Sequence, residues 1–217
     1  MKEPITAKEA LEKVKSGDII MIGGFLYGGN PQHLVKALIE TSADELTIIS
    51  SDTGTKDCQH YQLSLSGKIK KVIASYIGAN PETGRTMMSG EVEVELCPQG
   101  TLAERIRAGG AGLGGILTPT GVGTIVEEGK QKMKIDDREY LLELPLKADV
   151  ALIKAKTADS AGNLVVEGTS RNFNCAMAMA ADYVVAQVEE YVEAGQIDPN
   201  LITVPGVFVD AIVKVGA

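Results

Sequence analysis

Five short aliphatic runs, at residues 18–25, 46–50, 71–76, 150–154 and 183–188, carry almost no polar alternation. A strand wet on one face alternates with period two, so unbroken apolar runs of this length read as strands covered on both faces, as in a parallel sheet. Helical patterns lie between several of them. Residues 6–15 place Ala7, Ala10, Leu11 and Val14 at helical spacing, with Thr6 and Glu9 offering a capping box and Gly17 a stop. Asn30 reads as the cap of a second helix, with Pro31 at its first position and Leu34, Val35 and Leu38 on one stripe. Strand, loop and helix in repeated order predict an α/β fold, not a bundle or an all-β sandwich.

The middle of the chain has a different texture. At residues 91–96, Glu91, Glu93 and Glu95 alternate with Val92, Val94 and Leu96, the pattern of a half-solvated strand. Thr101 and Glu104 offer a second capping box, for a helix over 102–108 that the following glycines would terminate. Residues 130–144 read as a hairpin with Asp136 and Asp137 near its turn. No stretch reads as a linker or a repeat, so residues 1–217 are expected to form one domain.

Charge narrows the range of partners. With 21 basic and 29 acidic residues, the formal charge of -8 disfavours a nucleic-acid stripe or an anionic-membrane patch. Cys58, Cys97 and Cys175 are odd in number and far apart, which speaks against a disulfide framework or a cysteine-held metal and for a reducing compartment. No apolar run approaches the roughly 20 residues of a spanning helix. The first ten residues hold no signal-like stretch. A cytoplasmic protein without metal, membrane or nucleic-acid partner is expected.

Two glycine-rich segments are the candidate sites. Residues 23–31 turn from an apolar strand into a helix and leave backbone donors near a helix start, where an anion or polarised carbonyl could sit. Their spacing is neither the dinucleotide fingerprint nor a phosphate loop; ligand proximity is the favoured reading and a purely structural tight connection the alternative. In the second segment, Gln99 lies just past a strand and before a helix, placed to offer its amide to an oxygen, or to be a surface turn residue. Arg105 and Arg107 do not share a helix face, so at least one is expected to be solvated or ion-paired. His33, His60 and Cys97 have no neighbouring ligand or base in sequence and read as packing or surface residues.

Taken as complete strings, these segments resemble the family I coenzyme A transferases. Gly23-Gly24-Phe25, three residues, then Gly29-Asn30-Pro31 is similar to the family's N-terminal signature. Residues 91–115 resemble the central segment of its alpha subunits, and the likeness continues through 118–124, 143–163 and 172–181. It is nearest to the alpha subunits of the acetate or butyrate and acetoacetate transferases.

The resemblance implies a three-layer α/β/α fold with a mostly parallel central sheet. It also implies ping-pong transfer of coenzyme A between an acyl-CoA and a short-chain carboxylate. In the family the nucleophilic glutamate belongs to the beta half, in a glutamate-asparagine-glycine signature; no such triplet occurs here. A separate beta subunit, in an alpha2beta2 assembly, is therefore implied, with CoA as substrate and as a covalent intermediate on that partner and no permanently bound cofactor. Carried over to this chain, Gln99 would stabilise an oxyanion or position substrate. Gly24, Phe25, Gly28, Gly29 and Asn30 would wall the pocket. Ser51 and Asp52, where related halves carry asparagines, would orient substrate, and Gly109 and Gly110 would complete the substrate- or CoA-binding set. Two other classes stay open: a stand-alone sugar-phosphate isomerase or lactonase on a related architecture, and a noncatalytic stabilising subunit.

Overall fold

Alternate residues of four of the five aliphatic runs face two different cores. The computed structural model describes residues 1–216. A short helix α1 (Ala7–Ala10) leads into strand β1 (Ile19–Ile22), helix α2 (Gln32–Glu40), strand β2 (Leu46–Asp52), helix α3 (Gln59–Leu65), strand β3 (Ile69–Tyr76), helix α4 (Pro81–Ser89) and strand β4 (Glu93–Leu96). Helix α5 (Gln99–Gly110) follows, then three strands, β5 (Ile116–Thr118), β6 (Lys132–Ile135) and β7 (Arg138–Glu143). The chain ends with β8 (Ala148–Asp159), β9 (Leu164–Val165), α6 (Arg171–Met177), β10 (Ala181–Val192) and β11 (Ala211–Lys214).

Seven strands form a parallel sheet in the order β11-β10-β8-β1-β2-β3-β4, and β9 adds antiparallel to β8. Met21, Ile49, Ala151, Ile153, Val184 and Ala186 pack into one core with Leu102 and Ile106 of α5 and Met177 of α6. Ile20, Ile22, Ile48, Val150, Leu152 and Val185 pack into the other with Ala7 and Ala10 of α1, Leu34 and Leu38 of α2, and Leu63 of α3. Helices on both faces of a mostly parallel sheet make the expected three-layer α/β/α arrangement. Strand β4 closes one edge of the sheet and is half-solvated as expected, but the alternation breaks at its end, where Glu95 is half-buried and Leu96 exposed.

A second sheet, antiparallel in the order β5-β7-β6, contains the expected hairpin, with Ile135 opposite Arg138 across the two aspartates and Asp136 at a φ of 52°. Its inward face carries Leu141 and Glu143, leaving Tyr140 and Leu142 half-buried. The buried Glu143 carboxylate is tolerated because Lys130 Nζ meets it at 2.5 Å and Arg105 Nε lies 3.9 Å away.

Several local expectations are corrected. The Thr6–Glu9 capping box is present, but α1 stops after one turn and Leu11 and Val14 are buried from the turns that follow. Asn30 does not cap α2: Pro31 holds the cap position, and the amide oxygen of Gln187 on β10 accepts the His33 N–H at 2.9 Å and the Leu34 N–H at 3.4 Å. Thr101 is not a cap either. α5 starts two residues earlier, at Gln99, and the Thr101 hydroxyl is buried without a partner. Gly109 and Gly110 are the last two residues of α5, and the expected glycine stop falls just past them at Gly112, whose φ is 69°; a Cβ at Gly109 would overlap the Leu146 carbonyl, so close backbone packing explains that glycine. Helices α3 and α4 lacked a legible apolar stripe, since the buried residues of α4 are Thr83 and Thr86.

Candidate functional site

In a parallel sheet all strands end at the same edge, and the loops beyond that edge can converge on one ligand. Here β1, β2 and β4 deliver the glycine-rich loop, the Ser51–Asp52 pair and Gln99 to it. Gln99 is the first residue of α5, three residues after β4 ends, and its exposed side chain reaches across β3 so that Nε2 donates to Ser51 Oγ at 3.4 Å. Ser51 is fully buried; its carbonyl accepts the Ser75 hydroxyl of β3 at 2.6 Å, which fixes the end of β2.

The loop from Gly23 to Pro31 is built around a tight reversal. Phe25 and Gly28 exchange two backbone hydrogen bonds of 2.9 Å, and Leu26 between them is held at a φ of 47°, the left-handed region that few side chains enter. Asp52 stabilises that conformation. Its Oδ2 accepts the Leu26 N–H at 2.8 Å while Oδ1 accepts the Gly54 N–H at 2.9 Å. Asn30, which is buried, donates its amide to the Leu26 carbonyl.

Two asparagines account for the glycine pattern. A Cβ at Gly24 would overlap the Asn30 side chain, and a Cβ at Gly23 or Gly29 would collide with the amide of Asn174 on α6. The sequence pattern singles out the glycines but not Asn174, whose only sequence signal is its place in the matched stretch 172–181. Phe25 and Tyr27 project outward at 41% and 73% exposure.

The site thus offers neutral donors. The Gln99 amide is one, and the N–H groups of the buried residues Gly24, Gly29 and Asn30, which find no acceptor among the described residues, are others. Asp52 is the carboxylate that neighbours Ser51, and both its oxygens are engaged by backbone. Burial pushes the Cys97 thiol up, with Arg105 only partly opposing it, so Cys97 is a neutral packing residue. Burial likewise drives the His60 imidazole down to about 4 against the partial pull of Asp52. Among the described residues no cluster of His, Cys, Asp and Glu is arranged to hold a metal ion.

Gly24, Phe25, Gly28, Gly29, Asn30, Ser51, Asp52 and Gln99 therefore share one sheet edge. Gly109 and Gly110 do not: ten and eleven residues along α5 from Gln99, about 15 Å at 1.5 Å per residue, they pack against Leu146 and Met179. Arg105 points inward and Arg107 pairs with Glu104 at 2.6 Å on the surface, the split expected of their spacing.

These features define an α/β protein with a candidate site at the carboxyl edge of its sheet. Known proteins place it further. The coenzyme A transferase family model matches residues 5–215. The alpha subunit of acetate CoA-transferase from Escherichia coli K12 is 50% identical over 209 residues, covering 96% of this chain and 95% of its own. The acetoacetyl-CoA:acetate/butyrate CoA transferase alpha subunit of Clostridium acetobutylicum is 52% identical over 200 residues, 92% of each chain. An acyl-CoA transferase from E. coli O157:H7, in a thioester complex with CoA, superimposes with a TM-score of 0.89 at 23% identity. The match covers 99% of this chain but 47% of that longer one, so the present chain corresponds to about half of it. The chain belongs to the coenzyme A transferase family and is a CoA-transferase subunit of the alpha type. No helix among the described residues is long and apolar enough to cross a membrane.

Proposed function

We propose that this chain is the alpha subunit of a cytoplasmic, heteromeric short-chain acyl-CoA:carboxylate CoA-transferase, moving CoA between acetoacetyl-CoA and acetate or butyrate. The observation that carries the reading is the composition of the sheet edge: the Gln99 amide and the glycine-rich loop offer neutral donors there, while the neighbouring carboxylate, Asp52, is engaged by the Leu26 and Gly54 N–H groups. The nucleophile then belongs to a partner beta subunit, most simply in an alpha2beta2 assembly.

In this reading the partner's carboxylate attacks the acyl thioester carbonyl, the C–S bond breaks, and CoA thiolate leaves an acyl-glutamyl anhydride. The thiolate attacks the glutamyl carbonyl, releasing the acyl carboxylate and leaving an enzyme–CoA thioester; an incoming carboxylate runs the sequence in reverse. Negative charge develops on a carbonyl oxygen at each addition. Neutral N–H donors stabilise it without quenching the nucleophile, which is the service Gln99 and the Gly24–Asn30 backbone are suited to supply. Ser51, accepting from Gln99, orients that amide.

The test is CoA exchange between acetoacetyl-CoA and acetate, measured on this chain alone and on the complex with its beta-type partner. Exchange only in the complex, with CoA trapped covalently on the partner, is expected. Turnover by the isolated chain would overturn the half-site assignment and favour a stand-alone isomerase- or lactonase-type enzyme. Exchange with succinyl-CoA alone would move the substrate class. A complex in which Gln99→Ala leaves exchange unchanged would make this chain a stabilising subunit.

A further inference from the structure

Helix α6 takes hold of the glycine-rich loop through two side chains. Asn174, fully buried, donates Nδ2 to the Gly29 carbonyl at 3.0 Å and to the Ser170 carbonyl at 2.8 Å, and its Oδ1 accepts the Lys154 N–H of β8 at 2.8 Å. Asn172 donates Nδ2 to the preceding loop carbonyl, Gly28, at 3.0 Å and to the Thr169 carbonyl at 2.8 Å. Two consecutive carbonyls of the loop thus accept from α6, the first of them also accepting the Phe25 N–H at 2.9 Å. In a trans peptide the N–H points opposite to the C=O. The Gly29 and Asn30 N–H groups are consequently turned away from α6, and these are donors of buried residues that have no acceptor among the described residues.

We propose that Asn174 is a positioning residue that sets the direction of the Asn30 N–H group, which forms a fixed donor pair for a developing oxyanion with the Gly29 N–H, whose peptide Asn172 and the Phe25 N–H hold through the Gly28 carbonyl. The kinetic side of this proposal rests on the transferase reading. Its structural side does not. The Asn174 amide is also the atom group that excludes a Cβ at Gly23 and Gly29, so the glycines and the asparagine are one device: small residues let the amide approach, and the amide then aims the Gly29–Asn30 peptide. A donor pair that is already oriented needs no reorganisation when charge appears, which is where such donors have most effect.

The experiment uses the complex with the beta-type partner and two variants, Asn174→Ala and the double variant Gly23→Ala/Asn174→Ala, in which the added methyl occupies space vacated by the amide and supports folding. With acetoacetyl-CoA and acetate, kcat is expected to fall about 10²-fold while KM for acetoacetyl-CoA changes less than about threefold, the signature of misplaced transition-state donors. Hydrogen exchange is expected to quicken at the Phe25, Leu26 and Gly28 amides and to stay slow at Met21 and Leu152. Wild-type kcat in either folded variant, or a rise in KM alone, would overturn the positioning role. Uniform acceleration of exchange would reduce Asn174 to general stability. A wild-type complex with no CoA exchange would count against the transferase reading, and the exchange pattern of the loop amides would still decide whether Asn174 anchors it.

Discussion

The Asp52 carboxylate holds Leu26 in a left-handed conformation from a neighbouring strand: Oδ2 accepts the Leu26 N–H at 2.8 Å where φ is 47°. A non-glycine residue in that region costs about 1 kcal/mol or more, and the hydrogen bond to a charged acceptor offsets it. Replacing Asp52 with alanine is expected to destabilise the chain by about 2–3 kcal/mol in urea unfolding, since the half-buried Leu26 N–H and the buried Gly54 N–H lose their acceptor. Exchange activity falls as well, because the loop opens. A fully stable Asp52→Ala variant with a raised KM alone would instead make Asp52 a substrate contact.

Gln99 presents the opposite case. Its side chain is exposed and its contact, to Ser51 Oγ, is long. Gln99→Ala should leave unfolding within about 0.5 kcal/mol of wild type, yet lower CoA exchange in the complex by roughly 10²–10³-fold, the range seen when one oxyanion donor is removed. Steady-state kinetics and a melting curve on the same preparation check both halves.

His60 supplies a pH dependence. It is buried, its Nδ1 has no partner, and burial lowers its pKa to about 4. The unfolded chain takes up this proton near pH 6.5 and the folded chain does not, so the stabilisation is complete above 6.5 and is lost as pH falls toward 4. His60→Leu removes the effect: relative to its difference from wild type at pH 8, the variant should gain about 2 kcal/mol at about pH 5. Equal differences at the two pH values would contradict the burial of a neutral imidazole.

Arg105 links α5 to both sheets. Its guanidinium meets Glu95 at 2.7 Å, donates to the Leu144 carbonyl at 2.9 Å and lies 3.9 Å from Glu143. Arg105→Met should cost about 3 kcal/mol or more, because a buried carboxylate is left short of a partner. Burial pushes the Glu95 carboxyl up, but Arg105 and Lys71 outweigh it and hold it below the usual range. That stabilisation is present above the ordinary carboxylate pKa and lost as pH falls, so the variant should lose less stability than wild type between about pH 6 and about pH 4. Denaturant unfolding at the two pH values measures the difference.

The layered α/β architecture was legible because burial on both faces leaves a local mark: residues such as Ile20 and Met21, adjacent in sequence, serve opposite cores and must both be apolar. Gln99 and the Gly24–Asn30 loop were legible as positions just past strand ends, and Ser51 and Asp52, the last two residues of β2, through the family resemblance; a parallel sheet gathers such strand ends at one edge. What sequence could not supply was the partner of each polar group. Asn30 looked like a helix cap and holds the Leu26 carbonyl; the work of the cap is done by Gln187, more than 150 residues away. Gly109 looked like part of a binding loop and is a packing contact with Leu146. Asn174 carried no local signal. Periodicity and turn chemistry act over a few residues and are written in order along the chain, whereas hydrogen bonds between α6 and the loop after β1, or between β10 and α2, exist only once crossovers bring distant segments within about 3 Å. The chain thus determines its strands, its helices and its family by itself, and tertiary packing alone decides which of its polar side chains face a ligand and which hold the others in place.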